Sequence, residues 1–207
     1  MEIYMFAPVI TKNEILLNRQ WERAYEGERS GTICVQTRTI DLFIDRLSVI
    51  YAEAFSGAPW YEKWTIDEAR AELKSLADRG SVFIVSLDPE TGDPVGCGIG
   101  LPLSDRVSSA SFRERGLLSE EDIAASFYVA ELCTAANARN RGVCSDVLAG
   151  LLQAGREAGF ERAITRTRTD NDGMIRIFAR NGFKHLVQYS TATGGVASER
   201  IVFEGTL

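Results

Sequence analysis

The turn Arg139-Asn140-Arg141-Gly142-Val143-Cys144 puts two cations and a glycine between a strand-like run, residues 127–134, and a helix-like run, residues 146–157. The chemistry this arrangement suits is the holding of phosphate. The first turn of a helix carries N–H groups with no intrahelical acceptor and lies at the positive end of the helix dipole. A diphosphate satisfies both. A glycine at the turn removes the Cβ that would keep the backbone away from a ligand. The same residues also make ordinary solvated turns, so the flanking sequence has to decide between the two readings.

Composition narrows the field. The chain has 207 residues, 45% hydrophobic and 25% charged, values ordinary for a globular protein with enough length to bury a core without metals or disulfides. One domain is expected over residues 31–207, with residues 1–30 as an N-terminal extension. No apolar run approaches the roughly 20 residues that span a bilayer. The opening MEIYMFAPVITKNE has no basic region followed by an apolar core, so it does not read as a secretory signal. Cys34, Cys97, Cys133 and Cys144 are widely spaced without a C-x-x-C pair, which reads as reduced thiols and a cytoplasmic location. His185 is the single histidine, so a histidine-based metal site or a Ser-His-Asp triad has almost no material. A net charge of −6 argues against nonspecific nucleic-acid binding and suits a cationic small-molecule partner. Nothing in the sequence sets the oligomeric state; a homodimer is compatible with it.

The elements that must position the turn are read from periodicity. Residues 14–28 read as an amphipathic helix with Ile15, Leu16 and Trp21 on its apolar side, and residues 32–37 as a β-branched strand. Asp41 is placed to cap a helix whose apolar positions run from Leu42 to Phe55 and which Gly57-Ala58-Pro59 ends. After the aromatic connector Trp60-Tyr61-Glu62-Lys63-Trp64, Thr65 and Glu68 form a capping-box pattern for a second helix that Gly80 stops. Residues 81–87 and 95–101 read as an antiparallel hairpin, although glycines 96, 98 and 100 weaken the second strand. Residues 102–124 are charged and less patterned, with Ser119 placed to cap a short helix; they suit a lid or a tolerated insertion. A strand over 162–169 comes after the turn and its helix, with Thr165, Thr167 and Thr169 on one face and Arg166 and Arg168 on the other. A helix over 171–180 closes at Asn181-Gly182, and a hairpin around Gly194-Gly195 joins residues 185–191 to 199–204. The fold class is α/β (α+β): a mixed, mostly antiparallel sheet flanked by helices.

With these residues placed, the chain resembles the GNAT superfamily of acyl-CoA-dependent N-acetyltransferases. The turn Arg139-Asn140-Arg141-Gly142-Val143-Cys144 is similar to the family's [Q/R]-x-x-G-x-[G/A] signature, with Cys144 in the last position. A second family pattern, an Asn after the next strand and then an aromatic and Gly-Phe, stands as Asn171 and Phe178-Ala179-Arg180-Asn181-Gly182-Phe183. The order of elements from about residue 32 to 204 also looks like the family's.

The resemblance implies acetyl-CoA as cofactor. It implies that Leu132, Cys133 and Thr134 offer backbone groups to the pantetheine arm, and that the N–H groups of Asn140, Arg141, Gly142, Val143, Cys144 and Ser145 hold the pyrophosphate, with charge from Arg139 and Arg141. Asn171 would contact the cofactor, cap the helix, or do both. Phe178 occupies the position at which family members often carry a tyrosine that protonates the departing thiolate, so that donor is missing. An attacking amine must lose a proton. Glu131, the one acidic residue of its strand, is the candidate base; the alternative is an exposed residue or a partner for Arg166 or Arg168. Tyr128 is a candidate proton donor or a packed aromatic, and Cys133 lacks a neighbouring histidine to make it a nucleophile. Trp60, Tyr61, Glu62 and Trp64 would wall the acceptor, holding a cationic amine by cation–π contact and charge, or would anchor the connector. The reading is an N-acetyltransferase moving acetyl from acetyl-CoA to a primary amine of a small molecule, such as an aminoglycoside-like polyamine. A catalytically silent CoA-binding module is the alternative, and the absence of a Gly-Lys-Ser/Thr loop argues against an NTPase.

Overall fold

β-Branched and aromatic runs separated by turn residues pair into a sheet whose strand order is β1-β2-β3-β4-β5-β6-β8-β7. The computed structural model describes residues 22–105, 108–193 and 196–207. The strands are β1 (Arg23–Glu26), β2 (Ile33–Thr37), β3 (Val82–Leu87), β4 (Pro94–Pro102), β5 (Ser126–Thr134), β6 (Arg162–Arg168), β7 (Lys184–Thr193) and β8 (Val196–Thr206). Every pairing is antiparallel except β5 with β6. The mixed, mostly antiparallel sheet with helices on its faces is the architecture read from the sequence.

The helices are α1 (Ile44–Ser56), α2 (Ile66–Asp78), α3 (Ser108–Glu114), α4 (Glu120–Ala124), α5 (Val143–Glu157) and α6 (Asp172–Arg180). The Thr65–Glu68 capping box forms as its spacing predicts, and Ser119 caps α4 with Asp122 as its reciprocal partner. Two other local expectations are corrected. The helix after Thr37 starts at Ile44, with Phe43 rather than Asp41 at its cap and no side-chain bond there. Within the expected helix over 14–28, Arg23–Glu26 is a strand, registered from Arg23↔Gln36 to Glu26↔Ile33. Four residues of weak helical periodicity lose to a complete ladder offered by β2. The rest of that expected helix, residues 14–21, lies outside the described residues, as do Arg106 and the Gly194-Gly195 turn.

Helix α5 packs against β3, β4 and β5. The glycines of β4 make that approach possible: a Cβ at Gly98 would lie 2.5 Å from Val147 Cγ1 and 2.8 Å from Leu151 Cδ1. They are therefore sites of close packing rather than interruptions of the strand. Residues 102–124 are not open loop. Phe112 and Ile123 from α3 and α4 join Leu101, Leu103, Tyr128, Ile164 and Val202 in a second, smaller core.

The β1–β2 turn is fastened to the first turn of α5. The Asp146 carboxylate accepts from Arg29 N–H at 3.2 Å, from Ser30 N–H at 2.8 Å and from Ser30 Oγ–H at 2.6 Å. A network of buried donors around one carboxylate is costly to break, because each orphaned group keeps its desolvation penalty.

Two substitutions test this packing. Gly98→Ala drives a methyl into Val147, Leu151 and Leu132 and costs about 1–3 kcal/mol, read as a lower urea midpoint at unchanged slope. Asp146→Ala costs about 1–3 kcal/mol by leaving the Arg29 and Ser30 donors unpaired; Asp146→Asn, which keeps an acceptor oxygen, recovers part of that in the same titration.

Candidate active site

The site begins where two parallel strands part. β5 and β6 pair from Ser126↔Arg162 to Val129↔Thr165, and the pairing ends there. On the other edge of β5 the register to β4 shifts between Ile99↔Glu131 and Gly100↔Val129, so Ala130 is an extra residue, a bulge that re-aims the C-terminal half of the strand. The strands diverge around a cavity of about 60 Å³, whose wall includes Trp60, Glu131, Arg166, Thr167, Met174 and Phe178. Beyond Val129 the edge of β5 facing the gap offers Leu132, Cys133 and Thr134, where an extended ligand can lie as an added strand.

Past this edge comes the basic turn. Asn140 and Gly142 both adopt left-handed backbone, at φ 61° and 91°. Gly142 caps α5 without a side chain, and no side-chain cap hydrogen bond forms at that helix start. A Cβ on Gly142 would lie 2.7 Å from Arg29 Cβ. The glycine is thus demanded by its dihedral and by the β1–β2 turn behind it, in addition to the ligand approach read from the sequence. Arg139, Asn140 and Arg141 are exposed, and the start of a 15-residue helix points N–H donors the same way. An open helix N-terminus, two exposed arginines and an unoccupied strand edge leading to them fit a diphosphate joined to an extended amide chain.

The two faces of the sheet differ at the gap. Thr165 and Thr167 are buried on the α5–α6 face, and Asn171 stands there as the α6 cap. Its Oδ1 accepts from Met174 N–H at 3.3 Å and its Nδ2 donates to Thr167 Oγ1 at 3.0 Å, so the capping role is realised. Phe178 is buried against Phe183 and Phe203, each ring 5.5 Å away, and presents no hydroxyl to the cavity. Glu131, Arg166 and Arg168 belong to the opposite face. Arg166 is half-buried and donates to Tyr189 Oη at 3.1 Å. Its guanidinium is held firmly charged by Tyr128 first, then by Tyr189 and Glu131, against the cost of burial.

Of the aromatic connector, the structure brings only Trp60 into the cavity wall. Tyr61 is 72% exposed, and Trp64 packs edge-on against Tyr51 while its Nε1 donates to Glu62 Oε2 at 2.7 Å. The ring of Trp60 is already covered by the Arg200 guanidinium, 4.8 Å from its centroid. The expected aromatic cage for a cationic amine therefore does not assemble. Tyr128 is buried against Phe112 in the second core and does not line the cavity. Sequence reasoning missed Arg200, which is registered with Arg168 across β6 and β8 and covers the Trp60 ring beside the cavity.

The thiols are quiet. Cys144 is pushed up to about 12 by burial and then by the neighbouring Cys133, and Cys34 to about 11 by burial and then by Asp146, so both are protonated at neutral pH. Cys97 and Cys133, distant in sequence, meet across β4 and β5 with sulfurs 3.3 Å apart. Among the described residues no cluster of acidic, histidine or cysteine side chains suits a metal ion, and no helix is long and apolar enough to cross a membrane.

No curated protein matches the chain in sequence. Solved structures match its fold. A ribosomal-protein-alanine N-acetyltransferase from Brucella melitensis superposes with a TM-score of 0.64 at 18% identity, covering 83% of this chain and 99% of the other. An N-acetyltransferase from Staphylococcus aureus Mu50 gives 0.64 at 16%, covering 84% and 98%. A phosphinothricin acetyltransferase from Sinorhizobium meliloti, solved in complex with acetyl-CoA, gives 0.64 at 16%, covering 84% and 88%. The family model for the acetyltransferase (GNAT) family matches residues 44–183, from the start of α1 through the second motif at Phe183. The chain belongs to the acetyltransferase (GNAT) family.

Proposed function

We propose that the protein transfers an acetyl group from acetyl-CoA to a primary amine of a small molecule, by direct attack in a ternary complex. The observation that carries this reading is the parting of β5 and β6 beside an uncapped, arginine-flanked helix N-terminus. Leu132, Cys133 and Thr134 would hold the pantetheine arm by backbone bonds. The N–H groups from Asn140 to Ser145, with Arg139 and Arg141, would hold the pyrophosphate. Bound there, acetyl-CoA supplies a thioester carbonyl for the amine to attack and releases coenzyme A as its thiol.

The residues of this chain then divide the work. Glu131, in the cavity wall on the acceptor face, takes the proton from the ammonium group so that its lone pair can attack. The N–C bond forms as C–S breaks, and because Glu131 already holds the first proton, the second nitrogen proton leaves to water. Phe178 gives the leaving sulfur an apolar wall and no proton. A thiol with an ordinary pKa near 8.5 is a good enough leaving group to take its proton from water. Phe178, Met174 and Trp60 keep bulk water from the reacting carbon.

The missing donor at Phe178 favours a second reading, a CoA-binding module without turnover. Thiol release over an amine panel, with acetyl-CoA affinity measured in parallel, separates the two, since binding without transfer supports the silent module. For the enzyme reading, Glu131→Gln lowers kcat by about 10²- to 10⁴-fold while the acetyl-CoA dissociation constant stays within about twofold. A Glu131→Gln variant with the parent pH–rate profile removes the base from this residue.

A further inference from the structure

The acceptor face of the cleft is strongly cationic in a chain whose formal net charge is −6. Arg166 and Arg168 point to this face from β6, and Arg200 joins them from β8 opposite Arg168. Tyr189 of β7 is registered with Arg200, and Arg115 of the inserted segment lies 4.9 Å over the Tyr189 ring. Burial and then the charges of Arg166 and Arg168 disfavour the charged form of Arg200. The fold holds these cations together against mutual repulsion, which is sustained where something else supplies the opposing charge.

The anions present do not fully meet them. Arg168 is answered by Asp170 in a two-pronged contact at 2.9 and 2.8 Å. Among the described residues, no carboxylate lies within ion-pair distance of Arg166 or Arg200. Glu62 acts on Arg200, and Glu131 on Arg166, only as longer-range charges. Arg200 is also held in orientation, its guanidinium stacked on Trp60, while Arg166 is aimed by its bond to Tyr189 Oη. A stacked guanidinium keeps its N–H edge available for a planar oxyanion. Arg166, Trp60 and Glu131 line one cavity, and Arg200, outside its wall, lies over the Trp60 ring that forms part of it.

We propose that the acceptor is a compact zwitterionic amine whose carboxylate or phosphoryl oxyanion is seated on Arg166 and Arg200 while its amino group faces Glu131. The inference rests on the acetyl-transfer reading for its chemistry, but the seat itself is a binding property. It replaces the polyamine expected from overall acidity. Global charge sets solubility and long-range steering, whereas the groups within a few ångströms select the ligand.

The test measures both binding and turnover. Free amino acids and aminoethylphosphonate are titrated into the protein saturated with coenzyme A, each beside its methyl ester or decarboxylated amine, and the same compounds are assayed for acetyl transfer from acetyl-CoA. The expected result is at least one zwitterion that binds on the order of 10- to 100-fold more tightly than its uncharged-tail counterpart. Arg200→Gln should abolish that preference, raising KM far more than it lowers kcat, with acetyl-CoA affinity unchanged; Arg200→Lys should restore part of it. Trp60→Leu, which frees Arg200 without removing its charge, should lose part of the preference. Esters or polyamines that bind as well as the zwitterions overturn the proposal, as does a panel in which nothing binds, and acetyl transfer to the polyamines would leave the transferase reading standing. Zwitterion binding that depends on Arg200 with no acetyl transferred sustains the seat and removes the transferase reading. Equal use of a peptide amine lacking any free acidic group also overturns the proposal.

Discussion

The pairing that stops at Val129↔Thr165 is the constraint on which the rest depends. A parallel pair cannot simply open, because each backbone group withdrawn from a ladder needs another partner or water. Here the opening is managed from both sides. The extra residue at Ala130 turns β5 out of register with β4, and β6 keeps its other edge fully paired to β8. Each strand is thus anchored away from the gap, and the edge facing it opens without loosening either strand. Helix α5 comes soon after, so the edge leads into a helix N-terminus without a side-chain cap.

The divergence also separates two chemistries. The α5–α6 face offers threonines, a capping asparagine and phenylalanines, and among the described residues no charged side chain lines the cavity from it. The other face carries Glu131, Arg166, Arg168 and Arg200. A carboxylate and an arginine share one wall, which keeps Glu131 near a positive field, while Met174 and Phe178 line the other side. Placing charge on one face only spares the α6 packing around Phe178, Phe183 and Phe203 from any buried ion.

Much of this was legible in the sequence where local signals agree with the final fold. The capping box at Thr65 and the caps at Ser119 and Asn171 depend on contacts within a few residues, and each forms at the residue read from the sequence. The alternation of Thr165 and Thr167 against Arg166 and Arg168 matches the two faces of β6. What could not be read depends on long-range partners. Strand β1 exists because β2 offers it a ladder, and its own four residues carry no comparable signal. Asp41 has a good capping residue type but sits too early for a helix whose start is fixed by core burial of Ile44 and Leu47. The tryptophans looked alike in the connector, yet only Trp60 meets Arg200, which arrives from a strand near the end of the chain. The glycines of β4 looked like weakness because their packing partner, α5, lies about 50 residues downstream.

Strand β8 is the last of the eight in sequence, yet it is inserted between β6 and β7. In vectorial synthesis, the basic turn at 139–144 leaves the ribosome well before the strand carrying Arg200. A nascent chain thus presents that turn while Arg200 is still unmade, and β8 has to be accommodated between β6 and β7 last. The two walls of the cleft therefore differ in when they become structure as well as in the charge they carry.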